Sequence, residues 1–185
     1  MRVLLIFLVI AIAGCAGNAP APEVDLYLLR SASTPLPGPA SVSLSTVDVA
    51  TYIDRPGLVL ETSDGVMRPA VYHQWAEPLR ESLRGYLGTE LSRQLNAPVR
   101  FQDLGDSSWK QQPLTTVYVH VDELHGTRNG AARLVAFWRV AGAEVPADEH
   151  RFEREVRLAS SGYASLVDAH KTLLDALAQS IAESF

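Results

Sequence analysis

The sequence predicts an α+β fold, in which a mixed, mainly antiparallel sheet of about 6–8 strands carries two amphipathic helices packed on one face. Two observations predict it. Short segments of alternating apolar and polar residues recur along the chain, as in antiparallel strands with one covered face. Two longer segments place apolar residues every three or four positions, which is the spacing of an amphipathic helix.

The N-terminus has the features of a lipoprotein signal peptide. Arg2 precedes an apolar run over residues 3–13, which is too short to cross a bilayer core of about 30 Å as a helix. The run ends in Ile12-Ala13-Gly14-Cys15, which matches the bacterial lipobox. Residues 1–14 are therefore expected to be removed and Cys15 to carry a covalent lipid. The alternative is an ordinary signal peptide with an incidental cysteine.

The lipobox also predicts a location. Stable anchoring needs more than one acyl chain, which the triacyl modification usual for lipobox cysteines supplies. The next residue is Ala16 and not the Asp that commonly retains such proteins in the inner membrane. The sequence therefore predicts an outer-membrane protein that faces the periplasm.

Cysteine count and charge exclude several classes of protein. Cys15 is the only cysteine, which rules out an intramolecular disulfide and any Cys-based metal cage. Removing Arg2 with the signal peptide takes the formal net charge from −5 to −6. Because the basic residues are scattered through an acidic chain, we expect no nucleic-acid partner.

The mature chain is predicted to be one domain on a short tether. Residues 16–23 (AGNAPAPE) are small, polar and Pro-rich, as in a flexible linker. Residues 15–23 are thus the lipidated cysteine with its tether, and residues 24–185 are long enough for a single domain with its own core.

The first half of the domain predicts strands, a hairpin and a helix. In the segment 42–49 the apolar parity shifts between Leu44 and Val47, which indicates a bulge or bend. Asp64-Gly65 predicts a tight hairpin turn. Strands are expected over residues 24–29, 42–49, 58–61 and 66–72, with a turn at 51–56.

Residues 76–95 form the clearest predicted helix. Pro78 is tolerated because it falls in the first turn, where the negative charge of Glu77 also suits the helix dipole. Asn96-Ala97-Pro98 predicts the end of the helix. The apolar stripe consists of Ala76, Leu79, Leu83, Tyr86, Leu87, Leu91 and Leu95.

The second half predicts further strands and a closing helix. In the segment 116–124, valines alternate with polar residues, so the two sets face opposite sides of the sheet. The other predicted strands cover residues 99–104, 133–140 and 151–158. The helix over 166–185 has an apolar stripe of Leu166, Leu173, Leu174, Leu177, Ile181 and Phe185.

The spacing of His120, Asp122 and His125 is the most metal-like in the chain. His120 and Asp122 share a strand face, but His125 has the opposite parity and borders a turn at Gly126. Two ligands do not make a zinc site. We therefore favour a solvated sheet face over a metal site, and no cofactor is expected apart from the lipid on Cys15.

Motifs of the common enzyme classes are absent from the sequence. It has no Gly-x-Ser-x-Gly elbow, no Gly-rich phosphate loop and no dinucleotide fingerprint. The carboxylates Glu153 and Glu155 alternate with Arg154 and Arg157, as on a solvated strand. The sequence predicts that the protein is not an enzyme.

Polar and aromatic residues concentrate in residues 68–79 (RPAVYHQWAEPL). Trp75 is expected to be an apolar plug between helix and sheet, and Glu77 to mark the helix start. His73 has no assigned role. Together with Tyr52, Arg55 and Pro56 from YIDRPGLV (52–59), these residues are the candidate structural or partner-binding interface.

In an ordered series of features, the chain resembles the PqiC/YmbA-type lipoproteins, the "ABC-type transport auxiliary lipoprotein component" family. The series begins with Cys15 and VDLYLLR at 24–30. It continues with VDVATYIDRPGLVLET at 47–62, the WAEPL run at 75–79 and the closing amphipathic helix. The segments YIDRPGLV and WAEPL are its specific part, and residues 109–146 match only in strand pattern.

The resemblance implies a function and its partners. Such lipoproteins serve envelope lipid transport beside an MCE-domain protein of the inner membrane, whose conduit crosses the periplasm. This chain would dock that conduit to the outer membrane and support membrane integrity, and assembly into homo-oligomeric rings is a further implication. Two alternatives are a lipoprotein that supports envelope structure or regulates cell-wall synthesis, and a small periplasmic hydrolase or metal enzyme.

Overall fold

The computed structural model describes residues 22–101, 115–142 and 148–185, and its fold is the predicted α+β class. Cys15 and the tether up to residue 21 lie outside these residues, as do parts of the segment 109–146, so the predicted lipidation and domain boundaries stay predictions. The strands are β1 (Asp25–Tyr27), β2 (Val42–Val49), β3 (Gly57–Ser63), β4 (Val66–Trp75), β5 (Val99–Phe101), β6 (Thr115–Gly126), β7 (Ala131–Ala141) and β8 (Glu149–Arg157), and the helices are α1 (Leu79–Leu95) and α2 (Tyr163–Ala182).

The described strands join in one mixed sheet around β6. On one side of β6 lie β7 and then β8, both in antiparallel pairing, and these are the longest ladders. On the other side β2 pairs in parallel with β6, and β5 with β2. The β3–β4 hairpin joins β6 through one parallel pair, Leu60 with Gly126. Strand β1 lies parallel to β4 at the edge.

Two local features of the sheet, a bulge and a hairpin turn, confirm predictions made from the sequence. The register of β2 shifts between Leu44 and Val47, where the apolar parity predicts a bulge. The β3–β4 hairpin turns at Gly65, whose φ of +69° lies in the left-handed region that favours glycine. A second shift, between Val121 and Glu123 in β6, is not foreseen by the sequence pattern.

Both helices pack on the same face of the sheet and against each other. Helix α1 lies on β2 and β5, and α2 lies on β7 and β8. Their apolar stripes meet in a core whose fully buried members include Leu83, Leu87, Leu91, Leu173, Leu174 and Leu177. Neither described helix is long and apolar enough to cross a membrane.

The helix ends differ from the sequence prediction. Helix α1 begins at Leu79, because Pro78 is its N-cap and the Pro78 carbonyl accepts the first hydrogen bonds. Glu77 therefore precedes the helix, and Glu81 is the acidic residue of the first turn. Helix α2 ends at Ala182, so Phe185 falls beyond the stripe and is 47% exposed.

Candidate functional site

The segments YIDRPGLV and WAEPL lie side by side in the structure. The backbone N–H of Trp75 donates to the carbonyl oxygen of Pro56 at 2.7 Å. The Arg80 guanidinium donates through Nη2 to Oδ2 of Asp54 at 2.5 Å, and this pairing raises the pKa of Arg80. The turn over residues 51–56 is thus tied to the end of β4 and the first turn of α1.

A small apolar cleft opens where the two segments meet, and we call it the Trp75 cleft. Trp75 and Leu79 are buried at its floor, whereas Arg55, Pro56 and Glu77 are exposed. Its volume is about 310 Å³, and its lining is Asp54, Arg55, Pro56, Trp75, Glu77, Pro78 and Leu79. Four of the six predicted interface residues therefore share one cleft.

Gly57, which follows Pro56 of this cleft, allows β3 to approach β4 closely. A Cβ at this position would lie 2.1 Å from the carbonyl oxygen of Ala70 in the facing strand. Only a residue without a Cβ permits this approach of β3 to β4. The glycine of the YIDRPGLV segment is therefore required by packing, directly beside Pro56.

Charged groups surround the apolar floor of the Trp75 cleft. Arg55 donates through Nε to the Tyr52 carbonyl at 3.0 Å, and Glu77 accepts from the Ser82 hydroxyl at 2.6 Å. These bonds hold each side chain at the rim while leaving it exposed. An apolar centre with a charged rim and an aromatic anchor is the usual composition of a protein-binding surface.

Tyr52 faces a second, polar cleft instead, which we call the Glu123 cleft. Its ring lies 6.3 Å from that of His125, and its hydroxyl has no hydrogen-bond partner among the described residues. Burial, followed by the nearby Glu123 and Asp122, raises the pKa of Tyr52. The cleft measures about 590 Å³ and is lined by Tyr52, Glu61, Asp64, Gly65, Met67, Asp122, Glu123, His125, Thr127, Arg128, Asn129, Arg133 and Glu155.

An ion-pair network centred on Arg133 lies at the Glu123 cleft. Arg133 donates through Nε to Glu123 at 2.5 Å and through Nη2 to Glu153 at 2.6 Å. Arg151 also contacts Glu153, and both arginines lower the pKa of that carboxyl. His125 adds a contact from Nε2 to Glu123 at 3.2 Å. The network spans β6, β7 and β8, so it joins three strands of the sheet.

The structure separates the three residues of the metal-like spacing. His120 and Asp122 are exposed on the outer face of β6, whereas His125 is 2% exposed. The predicted turn at Gly126 is wrong, because β6 continues through Gly126 and the chain turns at residues 128–130. In the described parts of the chain, no three His, Cys, Asp or Glu side chains are grouped to hold a metal ion.

His73, which the sequence leaves without a role, joins β1, β4 and α2. Its Nδ1 lies 3.2 Å from both the Tyr27 hydroxyl and Oδ2 of Asp25. Its ring stacks on Tyr163, the first residue of α2, with a centroid distance of 4.0 Å. Because these contacts all lie within the fold, the structure places His73 in a structural contact and outside the Trp75 cleft.

A buried histidine lies behind both clefts. His170 of α2 is 1% exposed, its ring is 6.1 Å from that of Trp75, and it lies beside His125. Neither ring nitrogen has a hydrogen-bond partner of normal geometry in the described chain. Burial lowers the pKa of His170 to about 3, and the backbone of His125 opposes this shift only in part. The folded protein therefore holds this imidazole neutral.

Sequence reasoning missed several residues of these sites. Asp54 and Arg80 tie the two segments of the Trp75 cleft together, and Arg133 organises the Glu123 cleft. Asp54 lies inside YIDRPGLV, so its position in this segment could have identified it as a site residue. Nothing in the spacing of Arg80 or Arg133 indicates their partners, because both pairings join residues on different elements.

Comparisons with known proteins agree on a family and a fold. The family model described as "ABC-type transport auxiliary lipoprotein component" matches residues 27–182. A solved structure described as an uncharacterized protein is 25% identical, with a TM-score of 0.73 over 87% of this chain and 97% of that one. A solved protein from Xanthomonas campestris is 14% identical, with a TM-score of 0.64 over 85% of this chain and 92% of that one. No curated protein matches the sequence.

Proposed function

Because this chain belongs to the ABC-type transport auxiliary lipoprotein family, we propose that it is the outer-membrane lipoprotein of an envelope lipid-transport system. In this role it docks a periplasm-spanning MCE-domain conduit to the outer membrane and supports membrane integrity. The protein performs no chemical step. It contributes a fixed anchor and a binding surface, and its transporter supplies the energy and the conduit.

The observation that carries the proposal is the Trp75 cleft. It is built from YIDRPGLV and WAEPL, the two segments on which the family resemblance depends, and both contribute lining residues. A backbone hydrogen bond between the segments, from the Trp75 N–H to the Pro56 carbonyl oxygen, fixes their relative position. A surface formed by the most specific segments of the chain is the best candidate for the shared task of the family.

The chemistry of the Trp75 cleft suits a protein partner. Its volume of about 310 Å³ is at the low end of the range of about 300–1,000 Å³ for small-molecule pockets. Buried tryptophan with neighbouring arginine is the combination enriched among residues that dominate binding energy. We therefore assign the cleft to an apolar side chain or short loop of the MCE-domain subunit, with Arg55 and Glu77 as charged contacts at the rim.

The anchor is tested by Cys15→Ala. We expect this variant to lose membrane attachment and normal maturation, because it lacks the sulfur that carries the lipid. Labelling with a palmitate analogue and fractionation of inner and outer membranes measure both properties. Palmitate label that persists in the variant, or a wild-type protein found in the inner membrane, contradicts this part of the proposal.

The docking role is tested by a charge reversal at the rim. The double variant Arg55→Glu with Glu77→Lys exchanges two exposed charges, so the fold is expected to persist. Crosslinking in native envelopes, followed by mass spectrometry, should recover an MCE-domain protein with the wild type and lose it with the variant. The matched control is Arg128→Glu with Glu155→Lys in the Glu123 cleft, which should retain the partner. Recovery of no MCE-domain protein by the wild type overturns the proposal.

Self-association stays part of the proposal, because the family resemblance implies assembly into homo-oligomeric rings. Native mass spectrometry of the lipidated protein measures the stoichiometry directly. We expect a closed homo-oligomer, and a monomer at all concentrations contradicts this part.

A further inference from the structure

Exposed apolar side chains gather at the corner where the described chain begins. Leu26 is 63% exposed and Val71 is 67% exposed, and Val24 and Tyr72 are 48% and 46% exposed. We call these four residues the β1–β4 patch. Scattered apolar residues on a surface are ordinary, but a contiguous exposed group indicates a contact surface.

The strand register brings the members of this patch together. Strand β1 pairs with β4 so that Asp25 lies opposite His73 and Leu26 lies opposite Gln74. The Gln74 amide donates to the Val71 carbonyl at 2.8 Å, which places Val71 beside the same pair. A register shift in the β3–β4 ladder, between the pairs at Gly57 and Val59, leaves the segment 70–73 without partners in β3.

Leu26, in β1, faces away from the helices. The side chains of Asp25 and Tyr27 contact His73, which stacks on the first residue of α2. Because successive residues of a strand point to opposite faces, Leu26 points to the face that the helices leave open. The exposure of Leu26 agrees with this orientation.

The length of the tether indicates what covers the patch. The first described residue is Pro22, and Cys15 lies seven positions before it. Even fully extended, a segment of that length spans at most about 25 Å. Since the patch begins at Val24, a lipid on Cys15 holds this corner of the domain close to the membrane surface.

We propose that the β1–β4 patch contacts the lipid surface in which Cys15 is anchored and so orients the domain on the membrane. This proposal rests on the lipid anchor of the proposed function but not on the docking role of the Trp75 cleft. The chain without residues 1–14 carries a formal net charge of −6, which gives no attraction to anionic lipids. The contact therefore depends on the insertion of apolar side chains, and added salt should leave it intact.

The test uses the full lipidated protein in vesicles of phosphatidylethanolamine and phosphatidylglycerol. Since Cys15 is the only cysteine and the lipid occupies its sulfur, one introduced cysteine can be labelled uniquely with an environment-sensitive fluorophore. The labelled positions are Leu26→Cys, Tyr72→Cys and, as a control, Phe185→Cys. Phe185 is exposed and lies beyond the far end of α2, a helix of 20 residues that is about 30 Å long.

We expect the emission at positions 26 and 72 to shift to the blue and to be quenched by nitroxides carried on the lipids. The label at position 185 should show neither effect. Equal water exposure at all three positions overturns the proposal. A second result also overturns it, in which the labels at positions 26 and 72 are shielded from water but are not quenched by nitroxides on the lipids. In that case a second copy of the chain covers the patch.

A variant separates contact from mere proximity. Leu26→Asp with Val71→Asp should abolish the lipid quenching of the label at position 72, whereas Phe185→Asp should leave it unchanged. Circular dichroism confirms that the variants are folded, and full quenching in a folded patch variant overturns the proposal. Capture of the MCE-domain protein is measured in the same preparations. A variant that loses the quenching but still captures the MCE-domain protein has lost only the membrane contact of the patch. A variant that loses the capture but keeps the quenching has lost only the docking role of the Trp75 cleft.

Discussion

The two clefts on either side of the turn at 51–56 are opposite in chemistry. The Trp75 cleft has an apolar floor and a rim on which Arg55 and Glu77 remain exposed. The Glu123 cleft is larger and rich in charge, but Arg133 pairs there with Glu123 and Glu153. The central charges of the larger cleft are thus already paired with one another, whereas the smaller cleft offers an apolar floor to a partner.

The comparison shows that size and charge alone do not identify the binding surface. The Glu123 cleft connects β6, β7 and β8 through its ion pairs, so we interpret it as a stabilising feature of the sheet. The Trp75 cleft joins the open end of the β3–β4 hairpin, where β3 begins and β4 ends, to α1, and it leaves an aromatic floor open to a partner. Substitutions in the two clefts should accordingly have different consequences.

The largest effect is expected at the floor of the Trp75 cleft. Trp75→Ala removes a 6%-exposed side chain that contacts the core. It should lower the free energy of unfolding by about 3–5 kcal/mol, as for other buried tryptophans. Urea denaturation measures this value, and Tyr72→Ala on the exposed side of β4 should change it by less than about 0.5 kcal/mol. A small effect at Trp75 would show that the floor is not part of the core.

The next effect is a pH dependence of stability that comes from His170, in the core behind both clefts. The pKa of His170 is lowered from its ordinary value of 6.5 to about 3 in the folded protein, so the unfolded chain binds the extra proton. Stability is therefore full above pH 6.5 and falls as the pH decreases toward 3. The loss is about 2 kcal/mol at pH 5, or about 1.4 kcal/mol per pH unit.

His170→Leu should remove this part of the pH dependence. Urea denaturation at pH 7, 6 and 5 compares the variant with the wild type, and His120→Gln on the exposed face of β6 is the control. A pH dependence unchanged in His170→Leu would assign the acid sensitivity to other groups.

A smaller effect is expected in the Glu123 cleft. Arg133→Ala breaks ion pairs to Glu123 and Glu153 and should cost about 1 kcal/mol, since these groups are partly exposed. Arg128→Ala in the same cleft removes an exposed charge and should be neutral within about 0.5 kcal/mol. Thermal or urea denaturation measures both. Capture of the MCE-domain protein should be unaffected by either, and its loss in Arg133→Ala would move the docking site to the Glu123 cleft.

Local features of the fold could be predicted because a few neighbouring residues determine them. The parity change between Leu44 and Val47 marks the β2 bulge, and Asp64-Gly65 marks the hairpin. The stripe of α1 predicts its buried face, although Pro78 moves the helix start to Leu79. Each of these depends on backbone geometry and side-chain spacing within one element.

The composition of the sites could not be predicted, because it depends on contacts between elements. Tyr52 and Arg55 are close in sequence but face different clefts, because the irregular turn between β2 and β3 directs their side chains apart. Leu124 is buried although it has the parity of the exposed His120 and Asp122, because the register of β6 shifts after Val121, and no pattern in the strand predicts that shift. His73 acquires its contacts only when β1 and α2 reach it from opposite ends of the chain.

The most direct test of the docking role is site-specific photocrosslinking in living cells. A photoreactive residue replaces Arg55 or Glu77 at the rim of the Trp75 cleft. In the control variants it replaces the exposed Tyr118 of β6 or Arg128 of the Glu123 cleft. The account predicts crosslinks from positions 55 and 77 to an MCE-domain protein, and none from positions 118 and 128. Crosslinks to that protein only from the control positions, or from no position in a correctly lipidated protein, would contradict it.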